Sequence, residues 1–162
     1  MEKGSKKAGY GMEKLLVSGC LLGIACRYDG RANRNEAVCA LKESWDVIPV
    51  CPEALGGMKA PREPAEQRII DGSRRVVSRD GKDVTEFFEK GAQRVLELAR
   101  ENQCRFAVLK ENSPSCGCGC IYDGTFTGRK IPGVGVTAGL LQDHGITVAG
   151  ENSLEKLTEK SK

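Results

Sequence analysis

The sequence predicts an α/β fold: a single three-layer, Rossmann-like domain with a mostly parallel sheet and small hairpin insertions. Three observations lead there. Short apolar runs alternate with helical patterns along the chain, which is how parallel sheets are written in sequence. One amphipathic stretch, 84–102, is long enough to cross over between parallel strands. The 162 residues, 40% of them hydrophobic, suffice for one core, and the 29% of charged residues fits a globular chain.

Leu15–Ser18 reads as the first strand. A loop rich in turn residues follows, 27–34, and Asn35 then caps a short helix running through Leu41. Val47–Val50 is the second strand. The stretch 52–67 holds Pro52, Gly56, Gly57, Pro61 and Pro64, so it is expected to be a loop or a broken helical turn, too rich in Pro and Gly for a long helix. Residues 68–77 suggest a hairpin about Asp71-Gly72.

The clearest helix is Val84–Asn102, with Val84, Phe87, Phe88, Gly91, Val95, Leu98 and Ala99 on one face. Asp83 is its expected N-cap, with Glu86 at the capping-box position. Phe106–Leu109 is the third strand, and Ile121–Gly128 a second hairpin. A helix over Val136–His144 stops at Gly145, and Ile146–Ala149 is the fourth strand. The α/β domain thus spans 14–152. Residues 1–13 are polar and rich in Gly and Lys, with no apolar run behind them. They read as a disordered extension and not a signal peptide, which assigns the chain to the cytoplasm. Residues 153–162 form a charged tail, either helical or frayed.

Composition excludes several functions. The longest apolar runs are too short to span a bilayer. A net charge of +3 does not build a nucleic-acid groove, and four Phe, three Tyr and one Trp make a poor base-stacking platform. Eight cysteines in a chain without a secretion signal are expected to stay reduced. With one histidine, any metal site must be mainly thiolate, which selects zinc, copper(I) or iron–sulfur clusters.

The strands sort the thiols. Cys20, Cys51 and Cys116 each follow a predicted strand, so a parallel sheet gathers them at its carboxyl edge, where open α/β sheets bind ligands. Cys39 lies in a helix and Cys104 at the opposite edge, both as small hydrophobes. Cys26, Cys118 and Cys120 are in loops that can reach the same edge. In an extended segment, Cys116, Cys118 and Cys120 share one face and can bind metal alone. A structural zinc or redox-sensing module therefore stands beside a catalytic centre as an alternative.

Blocks around these thiols resemble a known family. They are Ser18-Gly19-Cys20-Leu21-Leu22-Gly23, Arg27-Tyr28-Asp29-Gly30, Cys51-Pro52-Glu53, Pro61-Arg62, Ser113-Pro114-Ser115-Cys116-Gly117, Tyr122-Asp123-Gly124-Thr125-Phe126 and Gly133-Val134-Gly135-Val136-Thr137-Ala138. Together they resemble the small bacterial and archaeal domain family, long without an assigned function, that includes the thiouracil desulfidases. The resemblance implies a 4Fe–4S cluster on three cysteines, with one iron free for substrate sulfur. It also implies removal of sulfur from a thiolated pyrimidine base or nucleotide. Carried over by position, the ligands are Cys20, Cys51 and Cys116, and the acid–base candidates Glu53, Asp29, Ser113 and Ser115.

Each acid–base candidate also has a plain structural alternative: an exposed loop carboxylate at Glu53, a turn at Asp29, and capping around Pro114 for the two serines. Arg62 and Lys110 are the candidates for substrate binding, since cations suit phosphate oxygens. His144 ends a helix, where it complements the dipole.

Overall fold

Leu15, Leu16 and Val17 are fully buried in succession, so their strand is covered on both faces. The structure is a computed structural model and describes residues 12–160. Most of the extension expected over 1–13 therefore lies outside the described residues. In chain order the elements are β1 (Lys14–Ser18), α1 (Glu36–Cys39), β2 (Asp46–Val50), α2 (Pro52–Leu55), β3 (Ala65–Ile70), β4 (Ser73–Ser78), α3 (Thr85–Glu101), β5 (Phe106–Val108), β6 (Cys120–Tyr122), β7 (Lys130–Pro132), α4 (Val136–Asp143), β8 (Thr147–Ala149) and α5 (Glu155–Lys160). A short 3-10 turn, Gly19–Leu22, continues directly from β1.

Four strands form one parallel sheet in the order β2-β1-β5-β8. Val17 is the Cα partner of both Pro49 and Val108. Pro49 is tolerated because β2 is an edge strand. On one face Leu16, Ala107 and Val148 meet Val95, Leu96 and Ala99 of α3 and Ala138 and Leu141 of α4. On the other face Leu15, Val17, Phe106 and Val108 meet Val38 of α1 and Leu157 of α5. These are the three layers that the sequence predicted. The charged C-terminal segment is helical at Glu155–Lys160, and its Leu157 joins the core. No helix among the described residues is long and apolar enough to cross a membrane.

The chain leaves β1 for β2 on one side, then returns to β5 on the other. The order reverses between β1 and β5, so the carboxyl ends there open a crevice.

Three local expectations are corrected. First, the stretch 52–67 holds the expected broken helical turn, α2 at Pro52–Leu55, but β3 already begins inside it at Ala65. The hairpin turns at Asp71 (φ 52°) and Gly72 (φ 80°) as expected, but its ladder continues back to Ala65↔Ser78. The early rungs carry the buried polar residues Glu66 and Gln67, which hide the strand from an apolar pattern. Second, the β6 hairpin returns through Lys130–Pro132, leaving 123–129 as a loop. Asp123 accepts from the Thr125 amide at 3.0 Å and forms an Asx turn in place of a tight hairpin turn. Third, the N-cap position of α3 is Val84, not Asp83. Asp83 still accepts from the Thr85 amide at 3.0 Å and from Arg75 Nε at 2.8 Å. His144 and Gly145 (φ 84°) end α4 as predicted.

α2 and α3 touch backbone to backbone. A Cβ at Gly91 would run into the Pro52 carbonyl, and one at Gly56 into the Phe87 carbonyl. This contact fixes the segment between Cys51 and Glu53. Gly91→Ala must push α2 away, a forced repacking that costs about 1–3 kcal/mol. Thermal denaturation should show a midpoint lower by roughly 3–10 °C. An unchanged midpoint would mean that α2 is not held by this contact.

Candidate active site

The first shared feature of the carboxyl edge is a cavity of about 520 Å³. Cys20, Cys51 and Cys116 all line it, with Cys26, Glu53, Arg62, Lys110 and Ser113. Each thiol arrives by a different route. Cys20 sits in the 3-10 turn after β1, whose Gly23 (φ 98°) sends its amide back to the Cys20 carbonyl at 3.2 Å. Cys51 is the cap residue between β2 and α2. Cys116 follows β5 after a loop in which Ser113 Oγ accepts the amides of Ser115 (3.0 Å) and Cys116 (3.1 Å). Gly135 lies against the Ser115–Cys116 peptide so closely that a Cβ there would strike it.

Cys26 joins the two thiols nearest the surface. Cys51 Sγ donates to the Cys26 carbonyl at 3.7 Å, and the Cys26 thiol beside Cys20 and Cys51 lowers both of them and is itself raised. Asn33 Nδ2 also donates to Cys20 Sγ at 4.0 Å. The deeper thiol, Cys116, is pushed up by burial first and by Glu53 second. Ser18 Oγ donates to Cys116 Sγ at 3.7 Å while accepting the Lys110 amide at 3.0 Å.

The run Cys116-Gly117-Cys118-Gly119-Cys120 does not extend with its thiols on one face. Glu111 Oε1 accepts three successive amides, from Cys118 (3.1 Å), Gly119 (3.2 Å) and Cys120 (3.4 Å). The segment curls around that carboxylate as amides do around an anion. Cys118 Sγ turns to Glu111 Oε2 at 3.0 Å, and burial with this carboxylate pushes its thiol up to about 12. Cys120 is exposed at the start of β6. Neither lines the cavity, and neither do Cys39 or Cys104.

The expected acid–base residues divide. Glu53 borders the cavity, and its charge acts on Cys20, Cys51 and Cys116 alike. Desolvation raises its pKa, opposed by Arg62, whose Nη2 stands 3.8 Å away. Ser113 also borders the cavity. Asp29 does not: Arg27 Nη2 (2.9 Å) and Arg31 Nη2 (3.0 Å) hold its carboxylate. Ser115 is fully buried, with its hydroxyl 2.8 Å from Thr137 Oγ1. Arg62 and Lys110 both line the cavity. Lys110 pairs with Glu151 at 3.1 Å, and Arg62 Nη2 also reaches the Cys26 carbonyl at 3.4 Å. His144 hydrogen-bonds to the Leu140 carbonyl at 2.9 Å and takes no part.

Sequence reasoning missed Ser18, Asn33, Glu111, Glu66 and Phe126. Only Ser18 and Phe126 carried a signal, by standing inside the family blocks. The others act through backbone amides or a thiol across the fold, which spacing does not encode.

No three His, Cys, Asp or Glu side chains among the described residues converge closely enough to hold one metal ion. An iron–sulfur cluster takes its thiolates one per iron, so spread soft donors around a cavity suit it.

A Rossmann-like sheet thus carries a thiol-lined cavity with a half-buried carboxylate at its switch point. The chain belongs to the 2-thiouracil desulfurase family, whose model matches residues 15–153, and is therefore an enzyme of the desulfidase type. It is 45% identical over 149 residues to the uncharacterized protein YbbK of Bacillus subtilis (strain 168), covering 88% of this chain and 99% of that one. It also matches the solved structure of the 4Fe-4S-dependent thiouracil desulfidase TudS. The TM-score is 0.82 at 43% identity, over 91% of this chain and 97% of that one. The α/β fold predicted from sequence agrees with that match.

Proposed function

We propose that this chain is a 4Fe–4S-dependent desulfidase that releases sulfide from a thiolated pyrimidine base or nucleotide, with Cys20, Cys51 and Cys116 as cluster ligands. The observation that carries the reading is that these three thiols and Glu53 share one cavity. The family match and the likeness to TudS support it. When bound, a cluster with one iron free of protein ligands supplies a Lewis acid for a C=S sulfur.

The chain's own residues handle water, protons and position. Glu53 takes the proton from a water that attacks the C=S carbon. The carbon–sulfur bond breaks with its electron pair staying on sulfur, which leaves as sulfide. The water oxygen becomes the new carbonyl, so no oxidant or reductant is needed. Both amides that Ser113 accepts leave its own O–H free to orient that water. Lys110 and Arg62 offer cationic hydrogen bonds to a ring oxygen or a nucleotide phosphate. In this reading Asp29 and Ser115 act through the segments they brace, the 27–31 loop and the start of α4.

Anaerobic reconstitution with iron and sulfide tests the assignment. Wild type should hold about four irons per chain and release sulfide from 2-thiouracil. Cys116→Ser should lose the iron, while Cys118→Ser and Cys120→Ser keep it. Loss of iron in the latter two, with Cys116→Ser unaffected, would overturn the ligand set.

Glu53→Gln should leave cluster absorbance intact and reduce kcat by about 10²–10⁴-fold, the usual contribution of a positioned base. Turnover near the wild-type rate would remove Glu53 from that role.

A further inference from the structure

Part of the cavity wall is aromatic, and one piece of it is held from outside its own loop. Loop 123–129 connects β6 to β7 and carries Phe126 into the cavity lining. Glu66 of β3, only 9% exposed, accepts the amides of Gly124 (2.9 Å) and Phe126 (3.1 Å) on one carboxylate oxygen. Arg68 Nη2 donates to the Gly124 carbonyl at 2.7 Å. Gly124 (φ 94°) approaches β3 so closely that a Cβ would meet the Gln67 carbonyl at 2.6 Å. Phe126 itself adopts φ 60°, the left-handed region that a bulky residue avoids unless its surroundings impose it.

A buried carboxylate is thus committed to two loop amides, and the residue they fix is a phenylalanine in an unfavourable conformation. Solvent-facing loops need neither device. Here the fixed side chain borders the same cavity as the three thiols and Glu53. Met58, Phe88 and Tyr122 continue the apolar wall, while Glu53, Ser113 and Lys110 supply its polar part. An apolar wall with a few convergent polar groups is the composition of a small-molecule site.

We infer that Phe126 forms the stacking wall of the substrate subsite for a planar heteroaromatic ring, and that Glu66 is the positioning residue that sets it there. The inference rests on the desulfidase reading above and deepens it. A ring held by its face turns only in its own plane, where Glu53, Ser113 and Lys110 set the direction of its thiocarbonyl. Phe126 contributes binding in the ground state and the transition state alike, so its removal should raise KM more than it lowers kcat.

The test measures equilibrium binding of 2-thiouracil to anaerobically reconstituted protein, alongside sulfide release and iron content. Phe126→Ala should weaken binding and raise KM about tenfold, the loss expected for one base–aromatic stack. Phe126→Tyr should stay near wild type. Glu66→Ala should reproduce the KM rise, and Glu66→Gln, which keeps an oxygen for both amides, should restore most of it. Iron content should be constant throughout. Where Glu66→Ala fails to fold, the Phe126 pair decides. Binding by Phe126→Ala within about twofold of wild type, with sulfide release intact, would overturn this inference alone. A wild type that binds the ring through Phe126 yet releases no sulfide would remove the desulfidase reading and leave the wall. No binding of 2-thiouracil by wild type would overturn both.

Discussion

β1 carries hydrogen-bonded ladders on both of its edges, to β2 and to β5, and both ladders are parallel. Parallel pairing forces all three strands to end on the same side. Their register is tight: Ser18 pairs with Val50, and Val17 with Val108. The three segments that leave those ends therefore meet, and each brings a cysteine. Because the strand order reverses between β1 and β5, no connection fills the space above them, and a cavity opens there. The site is a consequence of the sheet. Register slippage in β1 would flip its side chains and separate the thiols at the same time.

Around that edge, carboxylates set loop conformation by accepting amides. Glu111 gathers three from the 118–120 turn and turns Cys118 away from the cavity. Glu151 accepts the Glu111 amide at 2.8 Å and pairs with Lys110, so the end of β8 reinforces the same turn. Glu66 holds the β6–β7 loop, and Asp29 ties Arg27 to Arg31. Glu53, by contrast, lines the cavity with no loop amide on its carboxylate and has Arg62 as its ion-pair partner at 3.8 Å. Its position on α2 is secured by the glycine contact between α2 and α3.

The sheet was legible in the sequence because its strands are apolar on both faces and short. Leu15–Val17 and Phe106–Val108 could be read as buried strands without further information, and α3 showed itself through the spacing of Val84, Phe88, Gly91 and Val95. The thiol set followed from those strand ends. Other parts were hidden for identifiable reasons. β3 opens with Glu66 and Gln67, whose buried polar groups are satisfied by Gly124, Phe126, Pro114 and Val134 across the fold. The turn of Cys118 away from Cys116 depends on Glu111, five residues before Cys116 in sequence but paired with its neighbours only in three dimensions. The placement of Cys26 between Cys20 and Cys51 depends on how the 23–34 loop folds back, through Asn33 N to the Cys20 carbonyl at 2.8 Å.

The central claim is that three thiols from three parallel strand ends hold a four-iron cluster and leave one iron to the substrate. Cys26, the remaining thiol in the cavity, is the residue that would defeat it by occupying that iron. Mössbauer spectra of protein reconstituted with isotopically enriched iron, taken with and without 2-thiouracil, test this directly. The account predicts that one iron site in the cluster changes when 2-thiouracil is added while the others do not. A cluster whose sites are all unaffected by 2-thiouracil, or a centre that holds a single metal ion, would contradict it.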